Sequence, residues 1–415
     1  MAIIRPFRAL RPHPQSASKV ASVPYDVVNT SEAREYAKDF PYSFLRITRS
    51  EIDFPDDQNP YDEKIYKQAK DNLVKIKSEA PLIEDETPSF YLYRLRMDGR
   101  AQVGITATFA VDDYDNNVIL KHEKTRKEKE DDRTNHIVTT EAQTGVVFLT
   151  YKGIEAVNKV VDSVLSKENP IYDFTSSDGI QHSVWILPSN FNNDIIENIA
   201  VSKNLYIADG HHRAASASRA RGVKKAGNSS HNGNEEYNYF IAVLFPAEQL
   251  KILPYYRVVK DLNEKNKEDF LNEISEKFSV EISDEKEPKN KNKFGMYLDG
   301  LWYKLTARDS VIASNSLSNS VSDKLDVSIL QNFLLNPILA IDDPRTNKRI
   351  DFVGGIRGTA ELERLVDSGK FAVAFSLFPV SVDDLMNISD AGEIMPPKST
   401  WFEPKLRDGL LTHLI

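Results

Sequence analysis

Read for the spacing of its apolar positions, the chain alternates short strands with amphipathic helices. Ile3-Ile4, residues 20–23 and Val27-Val28 are brief apolar runs set among prolines and polar residues, and they predict extended segments. Residues 31–38 predict a helix with Thr30 or Ser31 as its N-cap. Over 61–77, Ile65, Ala69, Leu73 and Ile76 fall on one helical face. Two β-rich runs, 89–95 and 103–111, flank Met97-Asp98-Gly99-Arg100, an Asp-Gly hairpin turn. Strands are predicted at 118–120, 145–151, 183–187, 205–208 and 239–245, and helices at 154–166, 214–221 and 268–278. Residues 227–236 (GNSSHNGNEE) read as a polar surface loop. From about 294 a second mixed region follows, with strands on either side of Gly300-Leu301, helices at 327–336, 360–368 and 382–390, and a strand at 371–378. The pattern predicts an α+β fold without a solenoid repeat.

Composition narrows the chemistry. The 415 residues suggest two or three domains. With 53 Lys and Arg against 62 Asp and Glu, the net charge of −9 disfavours a duplex-binding protein, which needs a basic face. There is no cysteine, so disulfides, a thiol nucleophile, Cys-ligated zinc and iron–sulfur clusters are excluded. No leader-like segment opens the chain, and no apolar run approaches ~18 residues. The expectation is a soluble, cytoplasmic protein without nucleic-acid or membrane partners, its oligomeric state unassigned.

Four constellations can carry chemistry. The strongest is Asp209-Gly210-His211-His212-Arg213, at the end of an apolar strand and the start of a small-residue helix. Gly210 permits an unusual backbone angle, and a helix N-terminus offers free N–H groups to an anion. Arg213 adds a fork suited to phosphate, and Asp209 suits a metal ion or a hydroxyl. A surface turn carrying two histidines is the plainer alternative. The second is His122-Glu123-Lys124-Thr125 followed by Asp132-Arg133, a carboxylate among cations that suits a base or a metal ligand as well as a solvated loop. The third is Pro396-Pro397-Lys398-Ser399-Thr400, and the fourth is Tyr255-Tyr256-Arg257. The turn Val23-Pro24-Tyr25-Asp26-Val27 resembles a pocket lining. There is no G-x-x-x-x-G-K-[ST] and no H-E-x-x-H, and Gly354-Gly355-Ile356-Arg357-Gly358 does not match G-x-G-x-x-G.

Taken together, the PFRALRP start, the V-P-Y-D-V turn, the H-E-K-T segment and the A-D-G-H-H-R turn resemble a bacterial and archaeal family of undefined function. Part of the chain is also similar to the free serine kinases of the ParB/sulfiredoxin-like superfamily. Those enzymes share a P-H-E-type segment, a D-G-H-H-R turn and a C-terminal S-P-K-T-T segment, matched here in the same order by Lys121-His122-Glu123, Asp209 to Arg213, and Pro397-Lys398-Ser399-Thr400. Sulfiredoxin-type relatives carry a reactive Cys where His211 stands, so thiol chemistry is excluded at that turn.

The resemblance implies a ParB/sulfiredoxin-like mixed-sheet core at 113–262. An N-terminal α/β region at 1–112 and a C-terminal α+β substrate region at 263–415 would flank it. It implies transfer of a phosphoryl group from ATP or ADP, with Mg²⁺, to the hydroxyl of free L-serine or a similar compound. Glu123 would be the general base, and Asp209 a catalytic residue holding the metal. Gly210, His211, His212 and Arg213 would cradle phosphates, and Tyr255, Lys398, Ser399 and Thr400 would bind the acceptor. Two departures stand out: 86 positions separate Glu123 from Asp209, and Trp401 stands where the kinases carry a basic residue. The other readings are a ParB-like nucleotide-binding regulator and a nucleotide or phosphoester hydrolase.

Overall fold

The computed structural model describes residues 1–79 and 82–415. The fold is mixed α+β with several sheets, and the chain forms two compact units, Met1–Leu250 with Pro404–Ile415, and Lys251–Glu403. The expected boundary near 112 falls inside one sheet. Residues 105–110 of strand Arg100–Ala110 pair with residues 239–244 of strand Tyr239–Pro246, so the two belong to one sheet. The last residues return to the first unit because Thr412–Leu414 pairs with Ala9–Pro12.

The first unit is organised on a nine-stranded mixed sheet. Its order is Ile119–Leu120, Leu205–Asp209, Val147–Tyr151, Tyr239–Pro246, Arg100–Ala110, Tyr91–Met97, Gln181–Ile186 and Tyr172–Thr175, with Ile4–Arg5 added to Arg100–Ala110. Two neighbouring pairs are parallel and the rest antiparallel. The predicted hairpin forms between Tyr91–Met97 and Arg100–Ala110, and Asp98 and Gly99 both take positive φ (51° and 76°), as a type I′ turn demands. Phe109, Leu149, Ile207 and Leu244, fully buried, stand in the core of this sheet.

Two helices flank the site described below, Lys127–Thr140 and His211–Ala226, and they pack on each other. Lys127–Thr140 also packs on Glu63–Glu79, whose Ile65, Ala69, Leu73 and Ile76 are all buried, as the spacing predicts. In the run at 20–23 the chain is extended from Ala21, with Ser22 in an antiparallel bridge to Asp408, and only Val20 is helical. Val20 closes a short helix, Ala17–Val20, that buries its two apolar ends three residues apart. Asn29, one residue before the expected cap, closes a capping box with Glu32.

The second unit carries a six-stranded antiparallel sheet. Its order is Phe278–Ile282, Leu301–Ala307, Lys293–Leu298, Val373–Leu377, Tyr255–Val259 and Ile350–Gly354. One face packs Tyr256, Val258, Val353 and Ala374 against Leu362, Leu365 and Val366 of helix Gly358–Asp367. Strands Tyr255–Val259 and Ile350–Gly354 escape the sequence reading because both are short and interrupted by charge. No helix among the described residues is long and apolar enough to cross a membrane.

Phe109 is completely buried and lies beside Phe240. Phe109→Ala is expected to cost about 3–5 kcal/mol in urea unfolding, against about 1 kcal/mol for Asn29→Ala, which removes only a cap.

Candidate functional site

The strand Leu205–Asp209 breaks register against Val147–Tyr151 between Ile207 and Asp209. Such an irregularity re-aims the side chain that follows it. Gly210 then turns the chain at φ 93° into the 16-residue helix His211–Ala226. A side chain at Gly210 would be strained by this left-handed backbone, and its Cβ would crowd the Arg213 guanidinium at 3.2 Å. The helix therefore starts abruptly, and the N–H groups of its first turn have no helical partners.

Arg213 turns back under the turn that precedes it. Its guanidinium reaches Asp209 Oδ2 at 3.2 Å and Asp26 Oδ2 at 3.4 Å, and donates to the Val146 carbonyl. Lys405 Nζ is 3.4 Å from the same Asp209 oxygen. Burial works against the Asp209 carboxylate, but Lys405 and Arg213 hold its pKa well below the usual range. Burial likewise opposes the charge on Arg213, which Asp26, Asp209 and Asp408 more than restore. Arg213 is a buried counter-ion here, and its fork is already engaged.

The two histidines hold the H-E-K-T segment in place. His211 Nε2 accepts the backbone N–H of His122 at 3.4 Å, and His212 Nε2 accepts the backbone N–H of Arg126 at 3.0 Å. An accepting Nε2 puts the ring proton on Nδ1. For His211 that edge faces Glu123, with Nδ1 4.0 Å from Oε2. Burial holds His211 down to about 3 and lowers His212 as well, so both rings are neutral near pH 7. His122 packs edge-on to His211 with ring centres 4.4 Å apart and is itself buried and neutral. The Glu123 side chain keeps 38% exposure, next to the start of the helix.

The turn around Pro24, expected to line a pocket, contributes residues to the ion-pair network. Tyr25 is buried under the Arg133 guanidinium, 4.4 Å from its ring centre, and Asp26 reaches Arg213. Asp132 and Arg133 pair with each other at 2.9 Å, and Arg133 donates to the Thr48 carbonyl. This pair is a brace within the fold. Beside it lies a cavity lined by Tyr25, Arg133, Gly145 and Arg213, with room for about one water molecule.

The sequence pattern did not single out Lys405 or Asp408. Both lie in the returning segment Pro404–Ile415, where Asp408 exchanges two backbone hydrogen bonds with Ser22. Asp408 is 1% exposed, and one of its carboxylate oxygens has no partner.

The expected Mg²⁺ does not fit these donors. Among the described residues no group of three or more His, Asp or Glu is placed to hold a metal ion. Asp209, the expected ligand, already neutralises Lys405 and Arg213. It is better described as their counter-ion.

The expected acceptor residues belong to the second unit. Tyr255 packs edge-on to Trp401 with ring centres 5.2 Å apart, and Lys398 Nζ lies 5.4 Å from the Tyr255 ring centre. Ser399 is buried, and its hydroxyl donates to the Pro396 carbonyl at 2.7 Å. That bond fixes the local turn. Thr400 follows, half-buried.

Burial pushes Asp408 up to about 7, against the pull of Arg213. An Asp raised above its unfolded value of about 3.9 favours folding below that value and loses this contribution as pH rises through about 7. Asp408→Asn has no such dependence. Urea unfolding of both proteins at pH 4 and pH 8 should show the variant gaining on wild type by up to about 4 kcal/mol. A difference independent of pH would place the Asp408 carboxyl in its ordinary range.

Comparison with known proteins adds the following. No curated protein matches the chain. A conserved hypothetical protein from Pyrococcus furiosus aligns at 13% identity, covering 74% of this chain and 94% of that one, with a TM-score of 0.35. A free serine kinase in complex with AMP aligns at 13% identity over 74% and 91% of the two chains, also with a TM-score of 0.35. SbnI with a C-terminal truncation, from Staphylococcus aureus, aligns at 12% identity over 74% and 87%, with a TM-score of 0.39. A family model described as "Protein of unknown function (DUF1015)" matches residues 4–328, so the chain belongs to the DUF1015 family.

Proposed function

We propose that this chain is a nucleotide-dependent phosphotransferase acting on the hydroxyl of a small amino acid, with free L-serine as the acceptor and ATP or ADP as the donor. One observation carries the proposal: His211 and His212 bind the backbone of the H-E-K-T segment and so hold the half-exposed carboxylate of Glu123 beside the start of helix His211–Ala226. A carboxylate and a helix N-terminus lie near each other in the first unit, which supports reading them as base and anion-binding end. The ordered motif resemblance to free serine kinases supports the same reading, including a ParB/sulfiredoxin-like core.

In this reading the helix N-terminus, from Gly210 through His211, His212 and Arg213, receives the donor phosphates on its free N–H groups. The seryl oxygen attacks the terminal phosphorus, the bond from that phosphorus to the bridging oxygen breaks, and Glu123 accepts the hydroxyl proton. The products are O-phospho-L-serine and ADP or AMP. Because His211 is neutral, no imidazolium masks the negative charge that Glu123 needs as a base. Asp209 keeps Arg213 and Lys405 at the base of the turn and shapes it electrostatically. The proposed acceptor contacts are Tyr255, Lys398, Ser399 and Thr400.

Glu123→Gln tests this directly. The purified full chain is incubated with ATP or ADP, a divalent cation and a panel of hydroxyl acceptors, and phosphorylated product is read by mass. The variant is expected to bind nucleotide as wild type does while transfer falls about 10²- to 10⁴-fold. Phosphate release without any acceptor would instead favour a hydrolase. Nucleotide binding without turnover in the wild type would favour a regulatory nucleotide-binding protein.

A further inference from the structure

Arg257 lies in the middle of strand Tyr255–Val259, next to the edge strand of the second unit's sheet, opposite Phe352 on one neighbouring strand and Phe375 on the other. It is 3% exposed. Its guanidinium sits 5.3 Å from the Phe352 ring centre and donates to two backbone carbonyls, those of Tyr255 and Pro397. No carboxylate among the described residues pairs with it. The other buried arginines, Arg11, Arg213 and Arg407, each have an acidic partner. Two carbonyl dipoles satisfy some of the five guanidinium donors but leave a full positive charge uncompensated. Burial accordingly pulls Arg257 down to about 10.

The surroundings say what kind of group completes it. Tyr255, Phe352 and Pro397 are half-buried, so the guanidinium lies one layer below the surface. Lys398, exposed and held at φ 54°, adds a second cation, 5.4 Å from the Tyr255 ring centre. Gly354, opposite Tyr255, has no room for a side chain because the Trp401 ring would lie 2.6 Å from its Cβ. The result is a cationic point framed by rings, without a competing acid. A planar fork of donors matches a carboxylate, and an apolar frame admits a small organic molecule better than a hydrated inorganic ion.

We infer that Arg257 is the anchor of a binding site for the carboxylate of a small organic molecule, with Lys398 supporting it and Tyr255 as a wall. The site shares Tyr255 and Lys398 with the acceptor residues proposed above. It is tested without nucleotide, however, so it stands or fails independently of phosphoryl transfer.

The experiment titrates the full chain with L-serine, O-phospho-L-serine, acetate and inorganic phosphate by calorimetry. Wild type is compared with Arg257→Gln and Lys398→Gln. Gln at 257 keeps donors for the carbonyls while removing the charge. At least one of the three carboxylates is expected to bind saturably to wild type, with affinity lowered at least tenfold in Arg257→Gln and several-fold in Lys398→Gln. Circular dichroism and thermal unfolding check that both variants fold, and Arg257→Lys serves as the second variant at that position if Gln does not. No saturable carboxylate binding to wild type would overturn the inference, as would unchanged affinity in a folded Arg257 variant. Inorganic phosphate binding as tightly as the carboxylates would reassign the site to phosphate.

Discussion

The first unit depends on one buried guanidinium. Arg213 enters the protein from the first turn of its helix and gathers Asp209 from the preceding strand, Asp26 from the Pro24 turn and the Val146 carbonyl from a third segment. A guanidinium buried this deeply is tolerable only with charges of opposite sign in contact. Those partners therefore fix where the three segments run. Removing one partner from a buried pair of this kind typically costs about 3–5 kcal/mol, because the other charge is left behind. Gly210 suits the same contact, since a Cβ there would crowd the Arg213 guanidinium at 3.2 Å on a left-handed backbone.

The neutrality of the histidines is a second consequence of burial. An imidazole accepts a hydrogen bond only on an unprotonated nitrogen. His211 accepts from the backbone of His122, so protonation would turn that bond into a clash of two donors. Burial holds the ring at about 3, far from any ordinary working pH, and the latch on the H-E-K-T segment stays closed. The geometry around Glu123 thus relies on the same desolvation that makes Arg213 need its acids.

Much of the fold was legible where periodicity was long and unbroken. Ile65, Ala69, Leu73 and Ile76 marked a helix face, and Asp98-Gly99 marked a hairpin. The run at 20–23 is extended from Ala21 onward, with Ser22 bridged to Asp408, and only Val20 belongs to a turn of helix that so short a run does not reveal. Strand Tyr255–Val259 was missed because Arg257, a buried charge on its sheet face, breaks the apolar pattern. In the site, the motifs around Glu123 and Asp209 were visible as strings, and the hydrogen bonds joining them are contacts 86 and 89 residues apart. Lys405 and Asp408 carried no signal, since nothing local in the segment after Pro404 says that it returns to Ser22 and Asp209.

Charge bookkeeping across the buried cations separates structure from recognition. Arg11 is held by Asp85, Arg133 by Asp132, and Arg407 by Asp178. Each of these pairs is closed, so each asks for nothing further from solvent or ligand. Arg213 is paired as well, with Asp26 and Asp209 in contact, which makes it a better anchor for Asp209 than a receptor for phosphate. The free N–H groups at the start of its helix remain the available anion donors there, because backbone amides carry no charge that must be neutralised in the empty state. Arg257 is the contrasting case. Its acceptors are neutral carbonyls, and its charge is balanced only when something anionic arrives. A buried cation without an acid is costly to keep in a fold that does not use it, and that cost, more than any motif, marks the sheet face of the second unit as a place of binding.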